Sequence, residues 1–383
     1  MTRHAPPGWT SLLLATASIG IANSVVFSLL SDLQDRYGFA DAGLGMIAGA
    51  GMAVGFVSQL LLAPLADRGH SKTLLLAGLL TAITGSVLFA SSSSLVMLVV
   101  ARAVTGCSNG LFLPAARAIA ASTSDEGVGE RLGTLGGVEL AGFVTGPVVG
   151  GVLVGPLGVR WPFVICGVFA LVAFVALLPR HLPAPPVVAH SARLGLDLLR
   201  LRPVQVSVLL TMALYFPVGM YDAILDRYMT DRGASNLLVG IGFLMYGIPF
   251  ALLATTGGRL SDRHGAFRTS MISLVLVAPL TALYGVITVP LVLAGMFAIE
   301  GSVQALGVPA TQSLVAQAAP QGRASAAQGL AGALNLLGAT VSALGAPVLY
   351  ERAGAGAVFG TAGALVLVAG LLAAGLHRRI PPV

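Results

Sequence analysis

Charge is what this chain of 383 residues most lacks. Asp, Glu, Lys and Arg make up 9% of it, against roughly a quarter in an ordinary soluble domain, so a water-soluble fold of this size could not cover its surface. Lysine is nearly absent: of 21 basic residues only Lys72 is one. There are two cysteines, Cys107 and Cys166, both inside apolar stretches, which argues against a disulfide framework and leaves the redox compartment unread. No Gly-x-x-x-x-Gly-Lys-Ser/Thr loop occurs, which disfavours ATP-driven work. With no metal cluster, nucleophile motif or soluble catalytic stretch, an enzyme finds no support, and neither a cofactor nor a metal is expected. No cleavable signal peptide is expected, because the first apolar run is too long and lacks a strongly basic start.

Apolar residues and glycine are abundant, at 56% of the chain and 49 residues. Glycine suits helices in lipid, where small residues let backbones approach closely. Runs of about 20 apolar residues, enough to cross a bilayer, fall at 10–30, 42–64, 73–93, 95–117, 131–154, 159–178, 204–226, 236–256, 269–289, 290–314, 325–349 and 356–376. The pattern predicts an all-α integral membrane protein with twelve spans, six in each half.

The halves repeat. Leu65-Ala66-Asp67-Arg68-Gly69-His70 follows one pair of apolar runs, and Gly258-Arg259-Leu260-Ser261-Asp262-Arg263-His264-Gly265 follows another, 195 residues on. The same offset relates Gly106 to Gly301 and Pro114 to Pro309. Two fused helical units predict an N-terminal bundle over 1–178, a linker over 179–203 and a C-terminal bundle over 204–383, and such a duplication points to a transporter. The linker carries Pro183, Pro185 and Pro186 with Arg193, Arg200 and Arg202. Its stretch 191–201 is either a short amphipathic helix on the inner membrane face or a solvated tether.

Basic residues in short loops set orientation. With the N-terminus inside, Arg3, Arg68, Lys72, Arg117, Arg131, Arg180, Arg193, Arg200, Arg202, Arg259, Arg263, Arg268, Arg323, Arg378 and Arg379 are cytoplasmic, against Arg36, Arg160, Arg227, Arg232 and Arg352 outside. Both termini are therefore expected in the cytoplasm. The net charge of +6 is read as this bias and not as a nucleic-acid footprint.

The turn at 65–70 resembles the signature loop of the major facilitator superfamily, Gly-x-Leu-Ala-Asp-Arg-x-Gly-Arg-Lys, and the copy at 258–265 is similar to its first part. The first copy departs from it: Ala63 replaces the leading Gly, Gly69 comes one place early, and Ser71-Lys72 replaces a basic pair. The resemblance covers the whole chain. It implies two six-helix bundles related by a pseudo-two-fold axis along the membrane normal. It also implies a cytoplasmic latch in which Asp67 caps a helix end and pairs with an arginine, with Arg117 as candidate partner. Asp67, Arg68, Asp262 and Arg263 act in that latch, or else serve only as topology-setting charges. Arg102-Ala103-Val104-Thr105-Gly106 resembles the family's Arg-x-x-x-Gly motif, which implies a part for Arg102 in proton coupling. Gly142 to Gly151 resembles the Gly-x-x-x-Gly-Pro-x-x-Gly-Gly motif of proton-driven exporters. Its Gly142, Gly146 and Gly150 form one bare packing stripe, with Pro147 perturbing the helix and Gly151 completing the motif. Ser28 and Ser31 stand where drug exporters often carry Pro-x-x-Pro.

Ionisable groups at membrane depth are expensive, so each is a functional candidate. Glu139, on the face of the glycine stripe, is expected either to take up a proton at one membrane face and release it at the other, or to serve as a structural carboxyl. Glu300 shares a face with Gln304, as a cavity wall or as a structural ladder. Asp222 is a third candidate carboxylate for coupling. Asn23, Asn109, Gln304 and Asn335 are candidate substrate contacts, each with an interhelical hydrogen bond as its alternative. The expectation is a monomeric secondary transporter of the cytoplasmic membrane, exchanging a small amphipathic molecule for protons across the lipid bilayer. Uptake by symport and a non-transporting sensor are the alternatives.

Overall fold

A computed structural model describes residues 8–62, 65–122, 128–180, 182, 196–320 and 324–379, with the backbone alone at 67–68, 121–122, 128–133 and 324–326. Among the described residues no strand occurs, and the helices run in the order α1 (Trp9–Ser24), a 3-10 turn (Val25–Ser28), α2 (Leu30–Tyr37), α3 (Ala42–Leu62), a π-helical turn (Ala66–His70), α4 (Ser71–Ser91), α5 (Leu95–Ser122), α6 (Val128–Leu157), α7 (Trp161–Leu177), α8 (Arg202–Thr230), α9 (Asn236–His264), α10 (Ala266–Tyr284), α11 (Pro290–Ala318) and α12 (Ala324–His377). Ten of these elements are long and apolar enough to cross a membrane, and α7 adds a shorter apolar helix. The expected twelve spans are reached because α12 is two helices, 324–353 and 355–377, run together across a break at Gly354. Gly354 has φ 75° and ψ 178°, a backbone that other residues rarely adopt.

Most helices outrun their apolar stretch. α9 continues to His264 through the polar stretch 259–264, and α11 runs on to Ala318. The first span is interrupted: the 3-10 turn after Ser24 re-aims the chain before α2 resumes. Of the linker, Leu196–Arg200 forms a short 3-10 helix that buries Leu198. Residues 183–195, including Arg193, lie outside the described residues, as do Arg3 and Arg323.

Two compact units emerge: Met1–Gly38 with Ala50–Ala192, and Phe39–Gly49 with Arg193–Val383. The start of α3 thus groups with the second unit, where Gly49 lies against Leu344 of α12. The two units repeat the same helix pairings. In the first, α1 packs on α6 and α4 on α5 and α7; in the second, α8 packs on α12 and α10 on α11 and α12. In the first unit a Cβ at Gly106 would lie 2.6 Å from the Gly51 carbonyl carbon, and in the second one at Gly301 would lie 3.0 Å from that of Tyr246. Both pairs are related by the 195-residue offset. Gly106 and Gly301 mark one duplicated crossing point, where a bare backbone lets α5 meet α3 and α11 meet α9.

The signature turns share a device despite their differing letters. Gly69 has φ 87° and Gly265 φ 89°, so each glycine supplies the positive φ that stops one helix before α4 or α10 begins. The early glycine of the first copy is a one-residue shift of that stop.

Candidate functional site

The second unit buries a carboxyl among tyrosines. Glu300 of α11 has 0% exposure. Its Oε1 accepts from Tyr221 Oη of α8 at 2.9 Å and from Gln304 Nε2, one turn along α11, at 3.1 Å. Tyr221 and Thr281 of α10 share a hydrogen bond of 3.1 Å, and Tyr246 of α9 donates to Gln304 Oε1 at 3.1 Å. Four helices therefore contribute to one chain of hydrogen bonds. Gln304 links it in a single sense, with its amide nitrogen toward the carboxyl and its oxygen toward Tyr246. Tyr221 and Gln304 both donate to Oε1, while Oε2 has no partner in ordinary hydrogen-bond geometry. The Tyr284 hydroxyl is a further hydrogen-bonding neighbour of the carboxyl, held outside ordinary hydrogen-bond geometry. Oε2 can therefore hold a proton without breaking the bonds from Tyr221 and Gln304. Aromatic rings enclose the site: the Tyr284 ring lies 5.4 Å from Tyr221, 5.5 Å from Phe297 and 5.8 Å from Phe359. Asp222 is buried on α8 beside Tyr221, within electrostatic range of Tyr246.

Glu300 owes its place to the duplicated crossing. The 195-residue offset puts it opposite Thr105, and Gln304 opposite Asn109. Thr105 is buried and closes only an intrahelical bond, to Ala101 O at 2.8 Å. At this one position the scaffold thus carries a neutral residue in one unit and an ionisable one in the other.

In the first unit the polar centre is Arg102, 4% exposed. Its Nη1 donates to Asn23 O at 2.5 Å, and the guanidinium lies 4.8 Å from the Phe27 ring centroid. Gly51 makes the room: a Cβ there would meet Arg102 Nε at 2.5 Å. Asn23 Nδ2 reaches Ser108 Oγ at 3.0 Å and Ile19 O at 3.0 Å. Asn23 and Arg102 are therefore brought together, whereas Asn109 is only half-buried beside them on α5. Asn335, buried on α12, has an Oδ1 without a hydrogen bond.

The glycine stripe seats α6 on α1. A Cβ at Gly142 would lie 2.6 Å from Ala17 O, one at Gly146 2.8 Å from Ile21 O, and one at Gly150 2.5 Å from Ser28 Oγ. Ser28 also donates to Pro147 O at 2.8 Å, so the serine at the departing position ties the two helices together. Gly151 is buried beside the seam.

Glu139 forms an ion pair with Arg117 at 2.9 Å, with side chains 25% and 51% exposed. The side chains of Asp67 and Arg68 lie outside the described residues. Asp262 and Arg263 are exposed at the end of α9, with no ion pair to any described residue. Among the described residues no three His, Cys, Asp or Glu gather as metal ligands. Because the Arg117–Glu139 pair is open to solvent, a double-mutant cycle on Arg117→Gln and Glu139→Gln is expected to give a coupling of about 0.2–1 kcal/mol in thermal unfolding. A coupling several times larger would mark it as a buried element.

Sequence reasoning missed Tyr221, Tyr246, Thr281, Tyr284 and Ser108. A signal existed for the tyrosines: a hydroxyl inside an apolar helix needs a polar partner. Tyr246 also sits at the offset image of Gly51, facing the image of Gly106.

The model of the Major Facilitator Superfamily matches residues 12–225 and 207–383. The multi-drug resistance efflux pump PmrA of Streptococcus pneumoniae is 27% identical over 279 residues, covering 69% of this chain and 68% of that protein. The multidrug resistance protein MdtG of Proteus mirabilis is 26% identical over 316 residues, covering 77% of each. The crystal structure of the nucleoside transporter NupG superposes with a TM-score of 0.78 over 96% of this chain and 99% of that one, at 15% identity, a likeness of fold alone. A multi-pass helical membrane protein with a duplicated six-helix plan, this chain belongs to the Major Facilitator Superfamily of transporters.

Proposed function

We propose that this chain is a proton-coupled exporter of small amphipathic molecules that works by alternating access, with Glu300 as the group that carries the proton. The observation behind this reading is the buried carboxyl with one oxygen held by Tyr221 and Gln304 and the other left open. A charge at membrane depth is expensive, so gaining and losing a proton changes the energy of this site more than that of any exposed carboxylate. Gln304, Tyr221 and Tyr246 lead from that carboxyl to side chains on three helices, and a conformational change that moves those helices alters what the carboxyl is bonded to. Export is favoured by the likeness to PmrA, a multi-drug resistance efflux pump.

In this reading Arg102 and Asp222 tune the coupling, and Asn23, Asn109, Gln304 and Asn335 contact substrate. Asp67, Arg68, Arg117, Asp262 and Arg263 bias the equilibrium between conformations. The protein works as a monomer in the cytoplasmic membrane with both termini inside. The test is proton flux in proteoliposomes screened against amphipathic compounds. Alkalinisation of the lumen as substrate enters marks exchange for protons. Acidification marks symport and overturns export; an unchanged lumen during transport removes the coupling.

A further inference from the structure

A shallow groove runs along the outside of the second unit, on α10, away from the tyrosine network. It has a volume of about 490 Å³ and is lined by Phe267, Arg268, Met271, Ile272, Val275 and Leu276. Its apolar floor is open: Ile272, Val275 and Leu276 are 50%, 52% and 45% exposed. Its mouth is basic. The Phe267 ring stacks on His377 at 3.7 Å and 12°, so Arg268 and Arg378, the next residue on each helix, lie at the same end of the α10–α12 pair. Arg202 Nη1 donates to Arg379 O at 3.0 Å and brings another guanidinium to that end. The neighbouring turn adds Arg259, Arg263 and His264 against a single carboxylate, Asp262.

We propose that this groove is a binding site for an anionic phospholipid, with an acyl chain along Met271, Ile272, Val275 and Leu276 and the phosphate held by Arg268 and Arg378. Charge complementarity selects the occupant. An apolar groove lined from Phe267 to Leu276, with cations at its Phe267 end, matches an amphiphile with a negative head, and a guanidinium pairs with phosphate through forked hydrogen bonds. A zwitterionic lipid offers the same chains without net charge, and a soluble anion offers the charge without the chain. The inference is independent of proton coupling, because none of these residues touches the Glu300 network.

The test uses the full-length protein in detergent, titrated with dioleoyl phosphatidylglycerol, with binding read by native mass spectrometry and thermal shift. Wild type is expected to bind phosphatidylglycerol and to melt at a higher temperature with it, and to respond much less to dioleoyl phosphatidylcholine or inorganic phosphate. Replacing both Arg268 and Arg378 by Gln is expected to weaken phosphatidylglycerol binding by about fivefold per arginine. Ile272→Trp, which fills the groove and leaves the charge intact, is expected to weaken it as well. All substituted side chains are exposed, so lipid-free melting should stay that of wild type. Equal response to phosphatidylcholine, or phosphatidylglycerol binding unchanged in both variants, would overturn the site; an equal response to inorganic phosphate would reduce it to an anion patch.

Discussion

Glu300→Gln is expected to reduce proton-driven transport to the leak of empty liposomes while substrate binding persists. Gln fills the same volume and keeps an oxygen for Tyr221, so the packing around Tyr284 and Phe297 need not change. It cannot exchange a proton, and a cycle that needs proton release before substrate entry, or the reverse, stops at that step. Affinity for a transported substrate should stay within about a factor of ten of wild type, equivalent to about 1.4 kcal/mol, and should lose its dependence on pH, since the titrating group linked to binding is gone. Equilibrium binding and liposome flux on one preparation separate the two effects. Coupled flux at the wild-type rate in this variant would leave Glu300 as a packing residue.

Gly106→Ala should cause the larger structural loss. A Cβ at this position meets Gly51 Cα and carbonyl carbon at 2.6 Å each, and its carbonyl oxygen closer still. Every one of these atoms is backbone, so no side chain can rotate away and α5 must retreat from α3. Overpacking of a tight interface costs about 1–3 kcal/mol. The retreat also dislodges Arg102, whose guanidinium lies against Gly51. Gly137→Ala on α6 is the control, because nothing lies within 4 Å of its added Cβ. There the methyl should leave stability unchanged or raise it by up to about 1 kcal/mol through the loss of glycine's freedom. Melting in detergent and the folded yield should fall for Gly106→Ala alone. Equal melting of the two variants would contradict the close crossing.

The spans and the duplication were legible because each lives in local sequence: apolar runs of bilayer length, and one turn written twice. The ends were not. Hydropathy marks where the apolar run stops, whereas α9 continues through the polar stretch 259–264, which still satisfies helical hydrogen bonds. Likewise, 325–349 and 356–376 read as two helices, yet Gly354 turns the chain in a single residue. The glycine stripe was legible as a bare face, but its partner was not, since nothing in 142–151 says that Ala17, Ile21 and Ser28 will lie against it. The site was half legible. The shared face of Glu300 and Gln304 follows from helical spacing, whereas Tyr221, Thr281 and Tyr246 arrive from three other helices, beyond any periodicity. Glu139 shows the opposite limit. Its depth and face can be read from sequence, but its pairing with Arg117 depends on how α5 and α6 meet.

The most direct measurement is proton release on substrate binding, recorded with a pH indicator in weakly buffered detergent solution, for wild type and Glu300→Gln. If substrate and proton compete at this carboxyl, binding to wild type releases about one proton per substrate at a pH where the free site is protonated, and binding to Glu300→Gln releases none. Release of the same number of protons by both proteins, or by neither, would contradict the assignment of the proton to Glu300.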